Sequence, residues 1–455
     1  MEMSHATGDG RPRNERFSAI SVFASILCLI PALYCLGIVA FALANFDRYA
    51  SATPQQVRYV IVPGLLFMAF AGVAVLCSRV TRAQVGGIGV AVLLGLFAFE
   101  TKLQLASFAA IRGLVATPPA DWMVARGLTR GLAPSKTARK LNRRLGVTDL
   151  PDAVIGGIPG ERVLLCGKRG RPVIYTADRY GFRNADAIYD RPINTVLIGD
   201  SFVEGICLPD GKDLVGRLRA NQSGTVGLGT RGAGPLLELA ILGRFGPHIR
   251  PRHVVMVFYE GNDWENLSSE LREPWLRAAL SDTAVFGPAV LPQATIDRTR
   301  PILADWTTAR QARAIDILKR THMTRNFLAL HQTWSQLGLA YPEVAPDKPE
   351  YAQILARAED IADDWGGKTI LVYLPQTGRL RGVLPGQFVF DQVRERVLSA
   401  ARDSGVTVID LTPIFLAQER PTALYAEDGH LSRLGADLAA DAIEQGIVAV
   451  EASAD

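Results

Sequence analysis

Long stretches without a charged residue dominate the N-terminal part of the chain. The first covers residues 17–44 and the second residues 59–78, and a third is apolar over residues 85–99. Because about 20 consecutive apolar residues cross a bilayer as a helix, the sequence predicts three transmembrane helices within residues 17–111. This pattern indicates membrane spans followed by a soluble domain.

Two charged residues, Glu100 and Lys102, follow the third apolar stretch directly. We interpret them as marking the end of the third helix at the membrane surface, where long charged side chains extend toward water. The alternative is a functional pair of charges inside the membrane.

Arginine is distributed unevenly over the short segments that flank the three spans. Segments on one side carry five, namely Arg11, Arg13, Arg16, Arg79 and Arg82, and the loop on the other side carries two, Arg48 and Arg58. Because cytoplasmic loops are the ones enriched in lysine and arginine, residues 1–16 are predicted to be a cytoplasmic tail. Three crossings of the inner (cytoplasmic) membrane then place everything after residue 111 outside the cytoplasm.

Residues 112–159 form a basic segment between the spans and the rest of the chain. Between residues 126 and 144 the segment contains seven basic side chains, namely Arg126, Arg130, Lys136, Arg139, Lys140, Arg143 and Arg144. We interpret it as a solvated connector, and contact with an anionic lipid or an acidic glycan is the alternative. The net charge of the whole chain is only +4, so composition does not indicate a nucleic-acid partner.

Two of the five cysteines, Cys166 and Cys207, lie outside the apolar N-terminal stretches. No C-x-x-C pair occurs, so the sequence gives no support for a zinc site or for thioredoxin-type chemistry. Two free thiols are the expectation, and a disulfide is the alternative if this part of the chain lies outside the cytoplasm.

From residue 160 onward, short apolar runs rich in β-branched residues alternate with stretches of helical periodicity. The expected strands are 194–199, 253–259, 369–374 and 406–411. This alternation predicts an α/β domain over residues 160–455, with a parallel sheet covered by helices on both faces. Residues 264–350 break the alternation, and we interpret them as an insertion beside the sheet.

Polar clusters follow the predicted strands at the edge where parallel strands end, which is where such sheets bind ligands. Ser201 follows the first strand, and Gly232 lies in a glycine-rich turn after the next β–α step. Asn262 follows the second of the expected strands, and Asp428 and His430 lie near the C-terminus. A hydroxyl, an imidazole, a carboxylate and several N–H donors are the groups that acyl transfer through a serine requires.

These clusters resemble the four sequence blocks of the SGNH (GDSL-type) hydrolase superfamily. The matching residues are Gly199-Asp200-Ser201, Gly232, Gly261-Asn262-Asp263 and Asp428-Gly429-His430. The resemblance covers about residues 175–447, and Tyr180-Gly181-Phe182-Arg183-Asn184 looks like the sequence that precedes the first block in membrane-linked bacterial members.

The resemblance implies a three-layer, flavodoxin-like SGNH fold with a parallel sheet. It implies Ser201 as nucleophile, His430 as base and Asp428 as the acid that orients it. The oxyanion hole would be formed by the backbone N–H groups of Ser201 and Gly232 and by the side-chain amide of Asn262. Members differ in whether the acid precedes the histidine by two or three residues, so Glu427 is the alternative acid.

Three functions stay open at this point. The first is a membrane-anchored serine esterase or O-acyltransferase that acts on acyl, and in particular acetyl, esters of envelope glycans. It draws on the resemblance to polysaccharide O-acetylation and deacetylation enzymes, and a transferase would need a separate membrane protein as acyl donor. The second is a lysophospholipase or lipid esterase, with an apolar groove built by the insertion, which contains Trp264, Trp275 and Trp306. The third is a non-catalytic scaffold in an envelope polysaccharide complex.

No cofactor and no metal are expected. Gly227, Gly229 and Gly232 match the dinucleotide pattern G-x-G-x-x-G, but no acidic residue follows about 20 positions later. The chain contains no P-loop and no cluster with metal-ligand spacing. Arg183 and Arg231 are expected in structural ion pairs, and binding of an anionic substrate is the alternative.

Overall fold

The computed structural model describes residues 19–115, 118–132, 137–167, 172–308, 322–384 and 386–454, so the predicted cytoplasmic tail lies outside the described residues. The chain divides into two compact units. One, here called the helical unit, consists of Met1–Gln104 and Lys319–Val344. The other, the sheet unit, consists of Leu105–Leu318 and Ala345–Asp455.

The described α-helices are numbered in chain order. They are α1 (Ala19–Ala44), α2 (Phe46–Tyr49), α3 (Thr53–Gln56), α4 (Val62–Leu76), α5 (Arg79–Val115), α6 (Ala120–Val124), α7 (Ala138–Leu145), α8 (Ser201–Glu204), α9 (Leu214–Asn221), α10 (Pro235–Ile249), α11 (Asp263–Glu270), α12 (Pro274–Arg277), α13 (Gln293–Thr308), α14 (Met323–Leu328), α15 (His331–Leu337), α16 (Glu350–Asp363), α17 (Asp391–Asp403), α18 (Leu411–Leu416) and α19 (Arg433–Ala454). A π-helical turn covers Val57–Ile61, and short 3-10 turns cover Leu150–Asp152, Asp186–Asp190, Ala278–Leu280, Gln387–Phe390 and Pro421–Leu424. The strands are β1 (Leu128–Thr129), β2 (Arg162–Cys166), β3 (Val173–Thr176), β4 (Thr195–Gly199), β5 (Thr225–Gly229), β6 (His253–Tyr259), β7 (Lys368–Leu374) and β8 (Thr407–Asp410).

Three segments near the N-terminus are long and apolar enough to cross a membrane, as the sequence predicts. They are Ile20–Ala44, Thr53–Leu76 and Arg79–Phe108. The third extends beyond its uncharged run because Glu100 is buried in the helical unit. Its carboxylate accepts the backbone N–H groups of Gln332 at 3.1 Å and Thr333 at 2.7 Å.

Four donors surround the Glu100 carboxylate, and the interpretation that Glu100 marks the membrane surface stays a prediction. The other two are the Thr333 hydroxyl at 2.8 Å and the Gln104 amide at 3.0 Å. Lys102, in contrast, is exposed. A buried carboxylate is tolerated where hydrogen bonds replace the water that it loses.

The sheet unit is organised around five parallel strands in the order β5-β4-β6-β7-β8. The register is regular: Thr195 of β4 pairs with Thr225 on one side and with His253 on the other. In sequence order this is 2-1-3-4-5, the flavodoxin-like arrangement, in which the chain reverses direction across the sheet between β4 and β6. The predicted three-layer α/β fold is confirmed.

Alternate residues along the strands point into two separate cores because side chains leave a strand on opposite faces. Val196 and Ile198 of β4 join a core with α10, α16 and α17. Leu197, between them, joins the other core with α8, α9, α18 and α19. Helices on both faces of the sheet leave its strand ends as the open edge for a site.

Strand β5 was not predicted because two of its five residues are glycines. Close packing explains why both positions are glycine. A Cβ on Gly229 would lie 2.2 Å from the backbone nitrogen of Glu204, and a Cβ on Gly227 would lie 2.6 Å from the Val215 side chain. Glycine in a strand often marks this kind of close backbone approach. Gly227 and Gly229 thus lie within the strand and not in a phosphate-binding turn.

The basic segment is not a solvated connector, contrary to expectation. Its helix α7 buries Leu141 and Leu145 in the same core as α10. The buried Asn142 side chain exchanges two hydrogen bonds with the backbone of Val154, both 2.8 Å long. Lys140, Arg143 and Arg144 are exposed, and Arg144 pairs with Asp305 of α13 at 2.8 Å. Preceding residues add β1 to the small sheet β1-β2-β3.

Residues 264–350 are not one insertion beside the sheet. The part up to residue 318 belongs to the sheet unit, and residues 319–344 belong to the helical unit. Trp264, Trp275 and Trp306 are all buried in the core of the sheet unit. They therefore do not line the apolar groove that the lipid-esterase hypothesis required of them.

Candidate active site

Ser201 lies at the point where β4 ends and α8 begins. Asp200 caps this short helix, since its Oδ1 accepts the N–H of Phe202 at 2.9 Å. Ser201 is the first helical residue, so its own N–H belongs to the donors that have no acceptor within the helix. The turn thus presents a hydroxyl and a backbone N–H from the same residue at the open edge of the sheet.

His430 lies beside this hydroxyl, although 229 residues separate the two in the sequence. Its Nε2 is 2.9 Å from Ser201 Oγ. The loop that carries it is closed by two backbone bonds of 2.8 Å, from Ala426 N to the His430 carbonyl and from Ser432 N to the Leu424 carbonyl. The imidazole packs against Phe202, with the ring centroids 5.1 Å apart. The geometry is that of a serine whose proton can pass to an imidazole.

The nearest carboxylate to the other ring nitrogen belongs to Asp428. Its Oδ1 is 3.7 Å from His430 Nδ1, longer than a hydrogen bond, and it also accepts the His430 backbone N–H at 3.1 Å. The Asp428 side chain is 2% exposed, whereas Glu427 is an exposed residue. Geometry therefore favours Asp428 over Glu427 as the orienting acid, and catalytic hydrogen bonds often shorten only when substrate binds.

Gly232 lies in the turn that follows β5. Thr230 N donates to the carbonyl of Gly199 at 3.0 Å, which ties this turn to the end of β4, just before Ser201. Gly232 has a φ of +73°, and a Cβ there would lie 2.8 Å from Thr137 Cγ2. Both conditions require glycine. Its N–H donates to no carbonyl or side chain among the described residues, which leaves it for an oxyanion.

Asn262 follows β6, and its side chain is held by Asp200. Its Nδ2 donates to Asp200 Oδ2 at 3.1 Å, and the same oxygen lies 3.4 Å from Ser201 Oγ. An amide nitrogen has two N–H donors, so one remains for a substrate oxygen. Asp200 therefore supports the Asn262 side chain in addition to capping α8. Ser201 and Asn262 follow β4 and β6, the two strands between which the chain reverses.

Arg183 and Arg231 are engaged in structural contacts. Arg183 donates to the carbonyls of Glu204, Gly205 and Leu208 at 2.9–3.0 Å, so it holds the loop after α8. Arg231 Nε lies 2.7 Å from Glu204 Oε2, and both side chains are 4% exposed. The expected structural ion pairs are present, and neither guanidinium is available to a substrate.

Cys166 and Cys207 form a disulfide, with their Cα atoms 5.1 Å apart. The expectation of two free thiols was wrong. The bond connects the end of β2 to the loop after α8, so the small sheet is covalently linked to the segment that follows Ser201. The separation of 41 residues between the two cysteines does not predict a bond between them. Disulfide pairing depends on which chain segments the fold brings together.

Four carboxyl groups are buried beneath the strand ends, namely Asp200, Glu238, Asp263 and Glu270. Burial raises the pKa of Asp200, Glu238 and Asp263, and the neighbouring carboxylates raise the last two further. Burial also raises the pKa of Glu270 to about 7, although its carboxylate accepts the N–H groups of Gly234, Leu236 and Leu237. Burial and the neighbouring carboxylates thus both make ionisation of these groups costlier than it is in water.

The cavity beside Ser201 is small. It has a volume of about 10 Å³ and is lined by Ser201, Phe202, Gly205, Ile206, Leu208, Leu214, His430 and Leu431. About 10–15 Å³ of such space holds one water-sized group. No group of three or more metal-ligating side chains occurs within the described residues.

Solved structures similar to this chain include a lipolytic protein of the G-D-S-L family from Veillonella parvula (15% identity; TM-score 0.32; 56% of this chain and 97% of that chain covered). A second is a lipase/acylhydrolase from Enterococcus faecalis (16% identity; TM-score 0.29; 56% of this chain and 95% of that chain covered). A third is a catalytic mutant of an acetylxylan esterase from Geobacillus stearothermophilus (15% identity; TM-score 0.28; 56% of this chain and 96% of that chain covered). No family model matches the chain, and no curated protein matches it. The proposals below are therefore based on the geometry of the side chains.

Proposed function

We propose that the sheet unit is a serine esterase or O-acyltransferase of the SGNH type. The observation that carries this proposal is the 2.9 Å contact between Ser201 Oγ and His430 Nε2 at the carboxyl edge of the sheet. Ser201 Oγ would attack the ester carbonyl while its proton passes to Nε2, and the same proton would then go to the departing alcohol. The oxyanion would be held by the N–H groups of Ser201 and Gly232 and by the amide of Asn262.

The acyl group we propose is short, acetyl in the first place. The space beside Ser201 and His430 accommodates about one water-sized group, which suits a methyl group and not a long chain. This observation disfavours a lysophospholipase. Water attacking the acyl-serine would give an esterase, and a sugar hydroxyl would give an O-acyltransferase that receives its acyl group from a separate membrane protein.

We propose an extracytoplasmic location and an envelope glycan as substrate. The arginine distribution around the spans supports the orientation. The Cys166–Cys207 disulfide supports it independently, because such bonds persist in oxidising compartments. A membrane anchor next to an ester-cleaving site suits a polymer that is built or exported at the same membrane.

The test uses the full chain in detergent, with Ser201→Ala and Ser281→Ala as the variant pair. Ser281 is an exposed serine of the same unit, so it controls for the substitution itself. We expect a fluorophosphonate probe to label the wild type and Ser281→Ala but not Ser201→Ala. Release of p-nitrophenol from the acetate ester should follow the same pattern.

Adding an O-acetylatable glycan separates the two reactions. Faster release with acetylated glycan as product indicates a transferase, and release of acetate alone indicates an esterase. A folded wild-type chain that neither reacts with the probe nor cleaves the ester would contradict the proposal and favour the scaffold hypothesis.

A further inference from the structure

The helical unit contains a cavity that the proposed reaction does not use. Its volume is about 740 Å³, within the range of about 300–1,000 Å³ that is usual for small-molecule sites. One wall is a face of α1 that includes Leu33, Gly37 and Phe41. The opposite wall comes from the segment around α14 and α15, which the buried carboxylate of Glu100 attaches to α5.

Arg58 is the central cation of this cavity. It lies on the π-helical turn before α4, and its Nε donates to the carbonyl of Leu339 at 3.0 Å. Its guanidinium carbon is 4.5 Å from the Trp334 ring centroid and 5.4 Å from that of Tyr59. Such π-helical turns frequently occur at functional sites. Among the residues that the structure describes, Arg58 forms no ion pair and its Nη groups have no acceptor.

Glu343, which among the described residues is the one carboxylate lining the cavity, does not neutralise Arg58. Glu343 lies 3.9 Å from both Arg48 and Arg325, and it accepts the hydroxyl of Tyr49 at 2.7 Å. Two arginines, Arg58 and Arg325, therefore line the cavity against one carboxylate. A ligand with a negative charge at this end neutralises the remaining positive charge of the cavity. A phosphate fits this requirement, since a planar guanidinium binds it through two N–H groups at once.

The opposite end of the cavity is apolar and open along α1. Leu33 is 60% exposed and Phe41 is 47% exposed, so the wall continues onto a helix surface that faces lipid in a membrane. Tyr49, Tyr59 and Trp334 surround the polar end. Tyrosine and tryptophan are enriched at the level of lipid headgroups, which indicates the depth of the polar end.

We propose that the helical unit binds an anionic phospholipid or another lipid phosphate. The phosphate would contact Arg58, and the apolar chain would lie along Leu33 and Gly37 of α1. This goes beyond the proposed esterase reaction, since the site lies in a different unit and contains no nucleophile of that reaction.

The test measures lipid binding to the full chain in a nonionic detergent by native mass spectrometry. The probes are dioleoylphosphatidylglycerol, a polyprenyl monophosphate, dioleoylglycerol and inorganic phosphate. We expect the two lipid phosphates to bind and the uncharged dioleoylglycerol to bind at least about tenfold more weakly. Inorganic phosphate should not compete with either lipid at concentrations where the lipids saturate.

Two variant pairs locate the site. Arg58→Gln removes the cation and should weaken the binding of phosphatidylglycerol about tenfold, while Arg79→Gln, at an exposed arginine outside the cavity, should not. Gly37→Leu adds a side chain where a Cβ meets no atom within 4 Å, so it fills the cavity while Arg58 stays in place. Gly95→Leu is its control, since Gly95 is equally unobstructed and does not line the cavity.

Thermal unfolding of each variant shows whether a loss of lipid binding is due to a loss of the fold. If Arg58→Gln does not fold, Gly37→Leu alone tests whether the lipid binds in the cavity. Equal binding of phosphatidylglycerol and dioleoylglycerol, or unchanged binding in both cavity variants, would overturn the proposal. If inorganic phosphate displaces the bound lipids, the cavity is a site for small anions and not for lipids. Hydrolysis of p-nitrophenyl acetate, measured in parallel in the wild type, Gly95→Leu and Ser201→Ala, tests the proposed reaction without the cavity variants, so failure of either proposal is recognised separately.

Discussion

At the scale of single residues, the candidate site is complete except for one contact. His430 Nδ1 has no hydrogen-bond partner among the described residues, and Asp428 Oδ1 is 3.7 Å from it. The carboxylate is nevertheless buried and attached to the same turn through the His430 backbone N–H. A closure of less than 1 Å would form the bond that fixes the histidine tautomer, which is the function of the acid in such triads.

Replacing Asp428 with asparagine should therefore lower kcat for p-nitrophenyl acetate by about 10³–10⁴-fold, because the imidazole is then held in the wrong tautomer. KM and the unfolding midpoint should change little. Glu427→Gln is the matched control, since Glu427 is exposed and one position away. If Glu427→Gln is the variant that loses activity, the acid has been assigned to the wrong residue.

At the scale of elements, the short helix α8 depends on its surroundings for its position. A helix of four residues has almost no stability of its own. The free energy needed to nucleate a helix exceeds the stabilisation from the hydrogen bonds of a single turn. Arg183 donates to three carbonyls just after it, and the Cys166–Cys207 disulfide fixes the following loop to β2. The position of the nucleophile thus depends on a strand that lies outside the main sheet.

Removing the disulfide with Cys166→Ser should lower the free energy of unfolding of the sheet unit by about 4 kcal/mol, as expected for a closed loop of 41 residues. Activity should fall at a lower denaturant concentration than the far-UV circular dichroism signal, since the loop after α8 loosens first. Cys77→Ser, at a free cysteine, is the control. Coincident loss of activity and secondary structure would show that the disulfide stabilises the unit only globally.

The start of α10 gives an element-scale prediction for pH. Glu270 accepts three N–H groups there, yet burial raises its pKa to about 7 from an ordinary value of 4.5. A carboxyl with a raised pKa binds its proton more tightly in the folded state, so its contribution is fully present below about pH 4.5 and is lost as pH rises to about 7. Stability should fall by an amount of order 3 kcal/mol over this window.

Glu270→Gln should flatten that slope, because an amide does not titrate. The measurement is the midpoint of urea unfolding from pH 4.5 to 8 for both proteins. The opposite result would be a stability that rises from pH 4.5 to 8 in the wild type and stays constant in Glu270→Gln. It would mean that the three N–H donors outweigh burial and keep Glu270 ionised.

At the scale of the whole molecule, the sequence predicted the parallel sheet well and its surroundings poorly. The run 253–259 coincides with β6, and 369–374 differs from β7 by one residue, because buried parallel strands are continuous apolar runs. The positions of Ser201, Asn262 and His430 followed from the rule that ligands bind at strand ends. Strand β5 was missed since its glycines serve close packing and give no strand pattern.

The other errors concern segments whose environment is decided by partners distant in sequence. The charge of residues 126–144 gives no information on the buried face of α7, which depends on contact with α10 and α13. The burial of Glu100, which its sequence neighbours do not indicate, depends on donors from residues 332 and 333. The pairing of Cys166 with Cys207 likewise depends on where β2 and α8 end. Each of these is a tertiary contact that local periodicity does not encode.

The orientation of the molecule in its membrane gives the last prediction. Five arginines against two predict a cytoplasmic N-terminus, and three spans would then put the C-terminus outside the cytoplasm. Alkaline phosphatase fused after residue 455 should therefore be active, and green fluorescent protein at the same position should be dark. Fusions after residue 82, in the first turn of α5 and just beyond the second span, should give the reverse pattern.

The paired fusions matter because the glycan proposal depends on this orientation. A cytoplasmic C-terminus would remove envelope glycans as substrates while leaving the chemistry of Ser201 intact. It would also conflict with a stable Cys166–Cys207 bond, since cytosolic thiols are kept reduced. The redox state of that pair in intact cells, measured by alkylation before and after reduction, is thus a second and independent measurement of which side of the membrane holds the site.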